Sequence, residues 1–217
     1  MTDFAARRVM MVDTQVRPSD VTKFPIIEAM LHLPRERFVP ADKVEAAYVG
    51  ENLSLGAGRV LLDPRTLAKM LDVLEIGDRD LVLDVACGTG YSTAVLGRMA
   101  EAVVGVESDA DMAAEAQANL SAVGADNALV VEAAPKGGHP GGAPYDAVIV
   151  QGGIEVFPEA LVAQLKEGGR ATAVFMEGAL GVVRMGLKRD GHIVWRDAFH
   201  AAAPVLPGFE RATEFTF

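Results

Sequence analysis

Residues 81–107 carry the side chains whose types and spacing could do chemistry together. An apolar run, Leu81-Val82-Leu83-Asp84-Val85-Ala86, holds one acid, Asp84. The small-residue turn Cys87-Gly88-Thr89-Gly90 follows it, and a helical pattern starts at Tyr91. A second apolar run, Val103-Val104-Gly105-Val106, ends on another acid, Glu107. The order is strand, glycine turn, helix, strand, acid, which is the order of a nucleotide-binding βαβ unit. Gly88 and Gly90 allow the tight turn that leaves a buried strand and let a ligand lie against bare backbone. The helix N-terminus offers unpaired N–H groups. A carboxylate at Glu107, where the second strand runs out, can accept hydrogen bonds from both hydroxyls of a ribose.

The loop lacks the third glycine of a dinucleotide fingerprint, because Thr93 stands there. Asp84 also suits a cationic ligand better than a pyrophosphate. The run Asp84-Val85-Ala86-Cys87-Gly88-Thr89-Gly90 resembles the acid-and-glycine loop of S-adenosylmethionine-dependent methyltransferases, with Ala86 in place of the first glycine. The resemblance implies that the loop lies beside the methionine part of the cofactor and that Glu107 holds the ribose. It implies a cofactor-binding set of Asp84, Ala86, Cys87, Gly88, Gly90, Tyr91, Glu107, Ser108, Glu132 and Ala133. A nicotinamide enzyme is the other reading of the same strand-turn-helix pattern.

The elements that must position these residues come from the rest of the chain. With 217 residues, half of them apolar and 23% charged, a large core is expected. A net charge of −10 argues against nucleic-acid binding, which needs clustered Lys and Arg. The single cysteine, Cys87, excludes an internal disulfide and fits a reducing, cytoplasmic setting. It reads as the small residue the turn needs rather than as a catalytic thiol. Asp13 cuts the early apolar run short of a signal peptide, and no apolar stretch reaches the ~18 residues of a membrane helix. His32, His139, His192 and His200 are scattered, so no metal site is expected.

The fold expected is α/β: a Rossmann-like doubly wound sheet, mostly parallel with antiparallel C-terminal strands, plus an N-terminal helical extension. The extension, with its substrate loop, covers 1–64, and the Rossmann-like unit covers 65–217. Residues 1–16 are helical or partly mobile. A helix starts at Thr22 or Lys23, with Phe24, Ile27, Met30 and Leu31 at helical spacing, and Pro34 stops it. Phe38 anchors a short turn boxed by Pro34 and Pro40. Asp63 caps a helix with Pro64 in its first turn and a stripe of Leu67, Met70, Leu71 and Leu74. Ser108 or Asp109 caps the next helix, which Gly124 ends. Residues 129–131 form the third strand, 135–144 a flexible glycine-rich loop, and 147–151 the fourth strand. A helix from Pro158 to Gly168-Gly169 precedes a fifth strand over 171–175. Two extended runs, 182–187 and 193–199, meet at Arg189-Asp190-Gly191 as a hairpin. A last strand is expected over 213–217.

A second resemblance is more specific. Glu28-Ala29-Met30, Pro34-Arg35-Glu36-Arg37-Phe38-Val39-Pro40 and Ala47-Tyr48 look like the N-terminal part of the protein-L-isoaspartate O-methyltransferases. These enzymes methylate the free α-carboxyl of isoaspartyl residues in damaged proteins. Asn52 to Gly56, the run Gly142 to Val150 with Ile154 to Pro158, and Leu161 to Arg170 extend the likeness over about residues 11–175. The substrate loop departs from it. The family has Gly-Gln-Thr-Ile-Ser-Gln-Pro where this chain has Gly58-Arg59-Val60-Leu61-Leu62-Asp63-Pro64. Val60 thus stands for the threonine, and Leu62 for the serine used near the substrate carboxyl. After the third strand, Ala134 takes the place of the family's aspartate, with Glu132 close by. No catalytic residue is assigned; Asp63, Arg65 and Gln151 are candidates for positioning substrate.

The function implied is S-adenosylmethionine-dependent methyl transfer to a carboxylate of an isoaspartyl protein or peptide. The alternatives are a different, more apolar acceptor on the same scaffold, or a cofactor-binding protein without catalysis. The expected partner is a protein or peptide with a free carboxylate; no nucleic acid or membrane partner is expected.

Overall fold

The computed structural model describes residues 3–212, so the strand expected over 213–217 lies outside them. The N-terminal segment is helical. It contains α1 (Phe4–Met11), which runs on through a π-turn at Val12–Val16, and α2 (Phe24–His32). Asp3 caps α1, its carboxylate accepting from the Ala6 N–H. Pro25 sits in the first turn of α2, where its missing N–H costs nothing. Ile26, Ile27, Ala29 and Met30 are buried, but Phe24, expected on the apolar stripe, is exposed. Two 3₁₀ turns, Arg35–Phe38 and Ala41–Ala46, follow, and Phe38 is fully buried as anticipated.

The segment expected to be a substrate loop is a small antiparallel hairpin, β1 (Leu53–Gly56) and β2 (Arg59–Leu61), forming a sheet of its own. It leads into α3 (Pro64–Leu74). Asp63 is the N-cap of α3, accepting from the Thr66 N–H at 2.9 Å. The expected stripe of Leu67, Met70, Leu71 and Leu74 is fully buried.

Seven strands build the main sheet. In chain order they are β3 (Leu81–Val85), β4 (Ala102–Glu107), β5 (Ala128–Glu132), β6 (Tyr145–Ile154), β7 (Leu165–Glu177), β8 (Leu180–Arg189) and β9 (His192–His200). Their spatial order is β5-β4-β3-β6-β7-β8-β9. The pairs from β5 to β7 are parallel, and the last two pairs are antiparallel. Between the strands lie α4 (Tyr91–Gly97), α5 (Ala110–Ala122) and α6 (Glu159–Gln164). The order reverses at β3, whose neighbours are β4 and β6, and ligands of open α/β sheets bind outside the carboxyl ends at such a point.

Period-two alternation divides the core between the two faces. Val82, Val103, Ala147 and Ile149 join α3, α4 and the N-terminal helices on one face. Leu83, Val85, Val104, Val106, Val148 and Val150 join Leu161, Leu206 and Phe209 on the other. The N-terminal extension therefore shares a core with the sheet rather than packing on it as a separate body.

Two elements differ from expectation. The helix after Pro158 ends at Gln164, not at Gly168, and β7 is already paired at Leu165. Lys188 Nζ donates to the carbonyls of Val162 and Leu165, which answers the helix end there. Residues 166–169 then bulge out, because Tyr145 pairs with Leu165 and Ala147 with Arg170. Within 135–144 the chain makes two short 3₁₀ turns, Pro135–Gly137 and Pro140–Gly142. The expected C-terminal hairpin is present, with Asp190 and Gly191 both at positive φ as a two-residue primed turn requires.

Arg35 joins the N-terminal turns to the base of the β1–β2 hairpin. It is fully buried, and donates from Nε to the Ala47 carbonyl and from Nη2 to the Leu62 carbonyl, both at 2.7 Å. Its guanidinium stacks 4.8 Å from the centroid of the Tyr91 ring. Removing it strips two buried carbonyls of their donor, at about 1–3 kcal/mol each. Arg35→Ala should therefore lower unfolding free energy by about 2–5 kcal/mol in urea titration; a loss below about 1 kcal/mol would show that the carbonyls find other partners.

Candidate functional site

Glu107 ends β4 at the carboxyl edge of the sheet and has no solvent exposure. Three backbone N–H groups serve its carboxylate. Ser108 N and Asp109 N donate to Oε1 at 2.7 and 3.1 Å, and Gly88 N donates to Oε2 at 3.1 Å. A charged side chain completes the shell: Arg59 Nε lies 3.1 and 2.9 Å from the two oxygens. Arg59 Nη2 also donates to Ser108 Oγ at 2.8 Å. Arg59 stands on β2, is buried, and reaches Glu107 from the β1–β2 hairpin.

The turn between β3 and α4 lies beside this carboxylate. Gly88 and Gly90 have φ of 56° and 91°, conformations that favour glycine. Ala86 holds φ 58°, so the residue in the place of the family's first glycine sits in the left-handed region at a cost of roughly 1–2 kcal/mol. Thr89 Oγ1 donates to the Phe38 carbonyl at 2.6 Å, and Asn119 Nδ2 donates to the Thr89 carbonyl at 3.1 Å. The proline-boxed segment thus holds the turn from one side and α5 from the other. Leu55 of the hairpin lies over Gly88. A Cβ on that glycine would stand 2.7 Å from Leu55 Cδ1.

Asp84 is buried one residue before the end of β3 and points at α4. Ser92 Oγ and Thr93 Oγ1 donate to Oδ2 at 2.6 and 2.7 Å, and Gln151 Nε2 donates to Oδ1 at 2.8 Å. Burial pushes its carboxyl up to about 6, against the opposing pull of these three donors. Cys87 is buried, and burial pushes its thiol well up, with the charges of Asp84 and Glu107 adding to the effect. It has none of the electropositive surroundings of a reactive thiol.

Of the residues singled out in the sequence, Asp84, Ala86, Cys87, Gly88, Gly90, Glu107 and Ser108 come together at this edge. Glu132 pairs in register with Glu107 and is exposed. The Ala133 N–H donates to the Glu107 carbonyl at 2.9 Å. Tyr91 departs from expectation: its ring is fully buried beneath Arg35 and edge-on to Phe38, inside the core. Gln151 spends its amide on Asp84 instead of facing a substrate. Arg65 is exposed, its guanidinium 5.7 Å from the Phe199 ring. Asp63 acts as the helix cap, and its N–H donates to Asn52 Oδ1. Leu62 packs in the core instead of lining an open pocket. Sequence reasoning missed Arg59. No local signal marks it, because its partner lies 48 residues further on. Among the described residues, no cluster of three His, Cys, Asp or Glu could hold a metal, and no helix is long and apolar enough to cross a membrane.

The raised Asp84 carboxyl has a consequence for stability. Its ordinary value is 3.8, so between about pH 4 and 6 the folded chain binds more protons than the unfolded one. Stability from this group is complete below pH 4 and is lost as pH rises through 6. The loss is roughly 3 kcal/mol, at about 1.36 kcal/mol per pH unit. The stability difference between wild type and Asp84→Asn should therefore shift toward the variant from pH 4.5 to 7 in urea titrations. A difference that stays flat with pH would mean that Asp84 titrates near its ordinary value.

Comparison with known proteins agrees with this architecture. The sequence model of the family described as protein-L-isoaspartate(D-aspartate) O-methyltransferase matches residues 8–200. A protein-L-isoaspartate O-methyltransferase of Koribacter versatilis is 37% identical over 170 residues, 78% of this chain and 77% of that protein. One from Methanoculleus marisnigri is 35% identical over 187 residues, 86% of this chain and 84% of that protein. The fold is that of a solved Plasmodium falciparum structure described as a candidate protein-L-isoaspartate O-methyltransferase in complex with S-adenosyl-L-homocysteine. That structure has a TM-score of 0.77 and 18% identity, over 95% of this chain and 99% of that one. A second solved protein-L-isoaspartate O-methyltransferase gives a TM-score of 0.81 at 23% identity, over 95% of this chain and 66% of that one. With a family match over most of its length and the acid–glycine-turn–acid edge in place, the chain belongs to the protein-L-isoaspartate O-methyltransferases, which are S-adenosylmethionine-dependent enzymes.

Proposed function

We propose that this chain binds S-adenosylmethionine at the edge formed by 84–90 and Glu107, and moves its methyl group to a carboxylate of an isoaspartyl protein or peptide. The observation that carries the reading is Glu107, a fully buried carboxylate at the sheet's switch point, flanked by a glycine turn. Those residues fit a nucleoside in kind. Glu107 is an acceptor pair for ribose hydroxyls, and Gly88 adds backbone without a Cβ beside it, while Gly90 packs against Ala116 of α5 and lets the turn close. Ser108, Glu132 and Ala133 border the same edge. Asp84 acts through the turn it braces, since its oxygens are committed to Ser92, Thr93 and Gln151. A cytoplasmic location belongs to the same reading, supported by the lone cysteine.

The bound cofactor would supply an electrophilic methyl group on a sulfonium. A substrate carboxylate is already ionised at neutral pH, so the chain needs no general base for it. Its task is to align acceptor and donor and to exclude water, and such alignment can supply several kcal/mol. This accounts for a family member that keeps its sheet edge while Val60 and Leu62 replace two hydroxyls of the loop.

The test is incorporation of labelled methyl from the cofactor into an isoaspartyl peptide and its aspartyl twin. Base-labile label should appear in the isoaspartyl peptide only. Equal, background-level label in both, with the demethylated cofactor still binding, would remove the isoaspartyl assignment. Label appearing instead in another acceptor from a protein extract would favour the apolar-acceptor alternative.

A further inference from the structure

The β1–β2 hairpin occupies the ground that a nucleoside needs. Both oxygens of Glu107 already face Arg59 Nε, at 3.1 and 2.9 Å, and their remaining donors are the backbone N–H groups of Gly88, Ser108 and Asp109 and, at 3.4 Å, the Ser108 hydroxyl. A ribose diol would need the side of the carboxylate that the guanidinium now fills. Leu55 covers the bare backbone of Gly88 in the same way. One hairpin therefore blocks both the sugar-binding acid and the glycine turn.

The hairpin is built so that it can yield. Its strands have four and three residues, and they pair only with each other. A two-stranded ribbon of this size is marginal without outside contacts. Its tip, Gly56-Ala57-Gly58, has three consecutive positive φ values and exposed residues. Its base is fixed: Val60, Leu61 and Leu62 are buried, and Asn52 accepts from the Asp63 N–H. The tip and Arg59 can leave while the base stays. Arg59 would pass to solvent, where a guanidinium is well satisfied, and Glu107 would keep its three backbone donors.

We propose that Arg59 is an internal competitor of the cofactor: the hairpin closes the nucleoside site in the free protein, and ribose hydroxyls must displace the guanidinium from Glu107. The proposal rests on the cofactor reading above and adds a gate to it. Binding of the nucleoside is coupled to release of the hairpin, so affinity is set by the difference between two partners for one carboxylate.

Calorimetric titration with S-adenosyl-L-homocysteine tests it. Arg59→Gln, which removes the cation and leaves a shorter, neutral polar side chain, should bind at least about tenfold more tightly than wild type, or about 1.4 kcal/mol. Hydrogen exchange on the wild-type chain gives a second measurement should the variant fold poorly. Saturating ligand should raise exchange in the hairpin tip and lower it in the glycine turn. Equal or weaker binding by Arg59→Gln, or a hairpin that becomes more protected with ligand, overturns the gate and leaves the methyltransferase reading standing. No binding by either protein up to millimolar ligand overturns both.

Discussion

A carboxylate without solvent exposure at the end of a parallel strand needs donors on every side, and the surroundings of Glu107 follow from that need. The chain after it turns at once into α5, so that Ser108 and Asp109 present their N–H groups while the Asp109 carboxylate caps the helix. The glycine turn contributes the N–H of Gly88. These three donors are local or one strand away. The fourth, Arg59, comes from a separate hairpin. Taking it away would leave a buried charge with neutral partners only, so the hairpin's position and the acid's burial support each other. The same carboxylate thus organises helix start, glycine turn and hairpin around one point on the sheet edge.

A second buried charge fixes the other side of the site. Arg35 is held by two carbonyls and a tyrosine ring, and the carbonyl of Leu62 belongs to the base of the hairpin. The carbonyl of Phe38, three residues on, takes the Thr89 hydroxyl of the glycine turn. One short proline-boxed turn therefore registers the hairpin base and the glycine turn against each other. That explains why an extension without strands of the main sheet shares its core. It also explains where Tyr91 went: the ring is the floor on which Arg35 rests, and the N-terminal turn of α4 is set by that packing. Asp84 works from beneath, its three side-chain donors joining β3, α4 and β6 under the turn.

Features with local causes were legible in the sequence. The Asp63 cap, Pro64, the stripe of α3, the Asp190-Gly191 turn and the strand-turn-helix around Gly88 all depend on residues within a few positions of each other. Contacts made across the fold were not. Gln151 could be placed at the carboxyl edge from its strand, but that its amide turns to Asp84 depends on two strands lying side by side. Phe24 obeys its helix pattern yet faces outward, because what covers a helix face is decided by distant elements. The hairpin did carry a signal, alternating Leu53 and Leu55 followed by Gly-Ala-Gly, but it is short and reads equally as a loop. The carbonyls at the early end of α6 are met by Lys188, which belongs to a strand far along the chain.

Three of the five departures from the family in 58–64, those at Arg59, Val60 and Leu62, form a consistent set once the hairpin is seen resting on the domain. Val60 and Leu62 occupy buried positions in the core, where a threonine or serine hydroxyl would need a hydrogen-bond partner. Apolar side chains at both places pin the hairpin base instead. Arg59, standing where the family has glutamine, adds the one interaction that an amide cannot: a full charge against a buried carboxylate. The three replacements therefore act in one direction. Each increases the hold of the hairpin on its own scaffold, and each lessens its capacity to address a second molecule. The sheet edge, by contrast, keeps Glu107, Gly88 and Gly90, through which a nucleoside is proposed to bind, although Ala86 and Ala134 depart from the family there. Divergence in the loop with retention in the sheet is thus one physical change, in which a segment that would otherwise face ligand has become part of the wall behind which the ligand site is held.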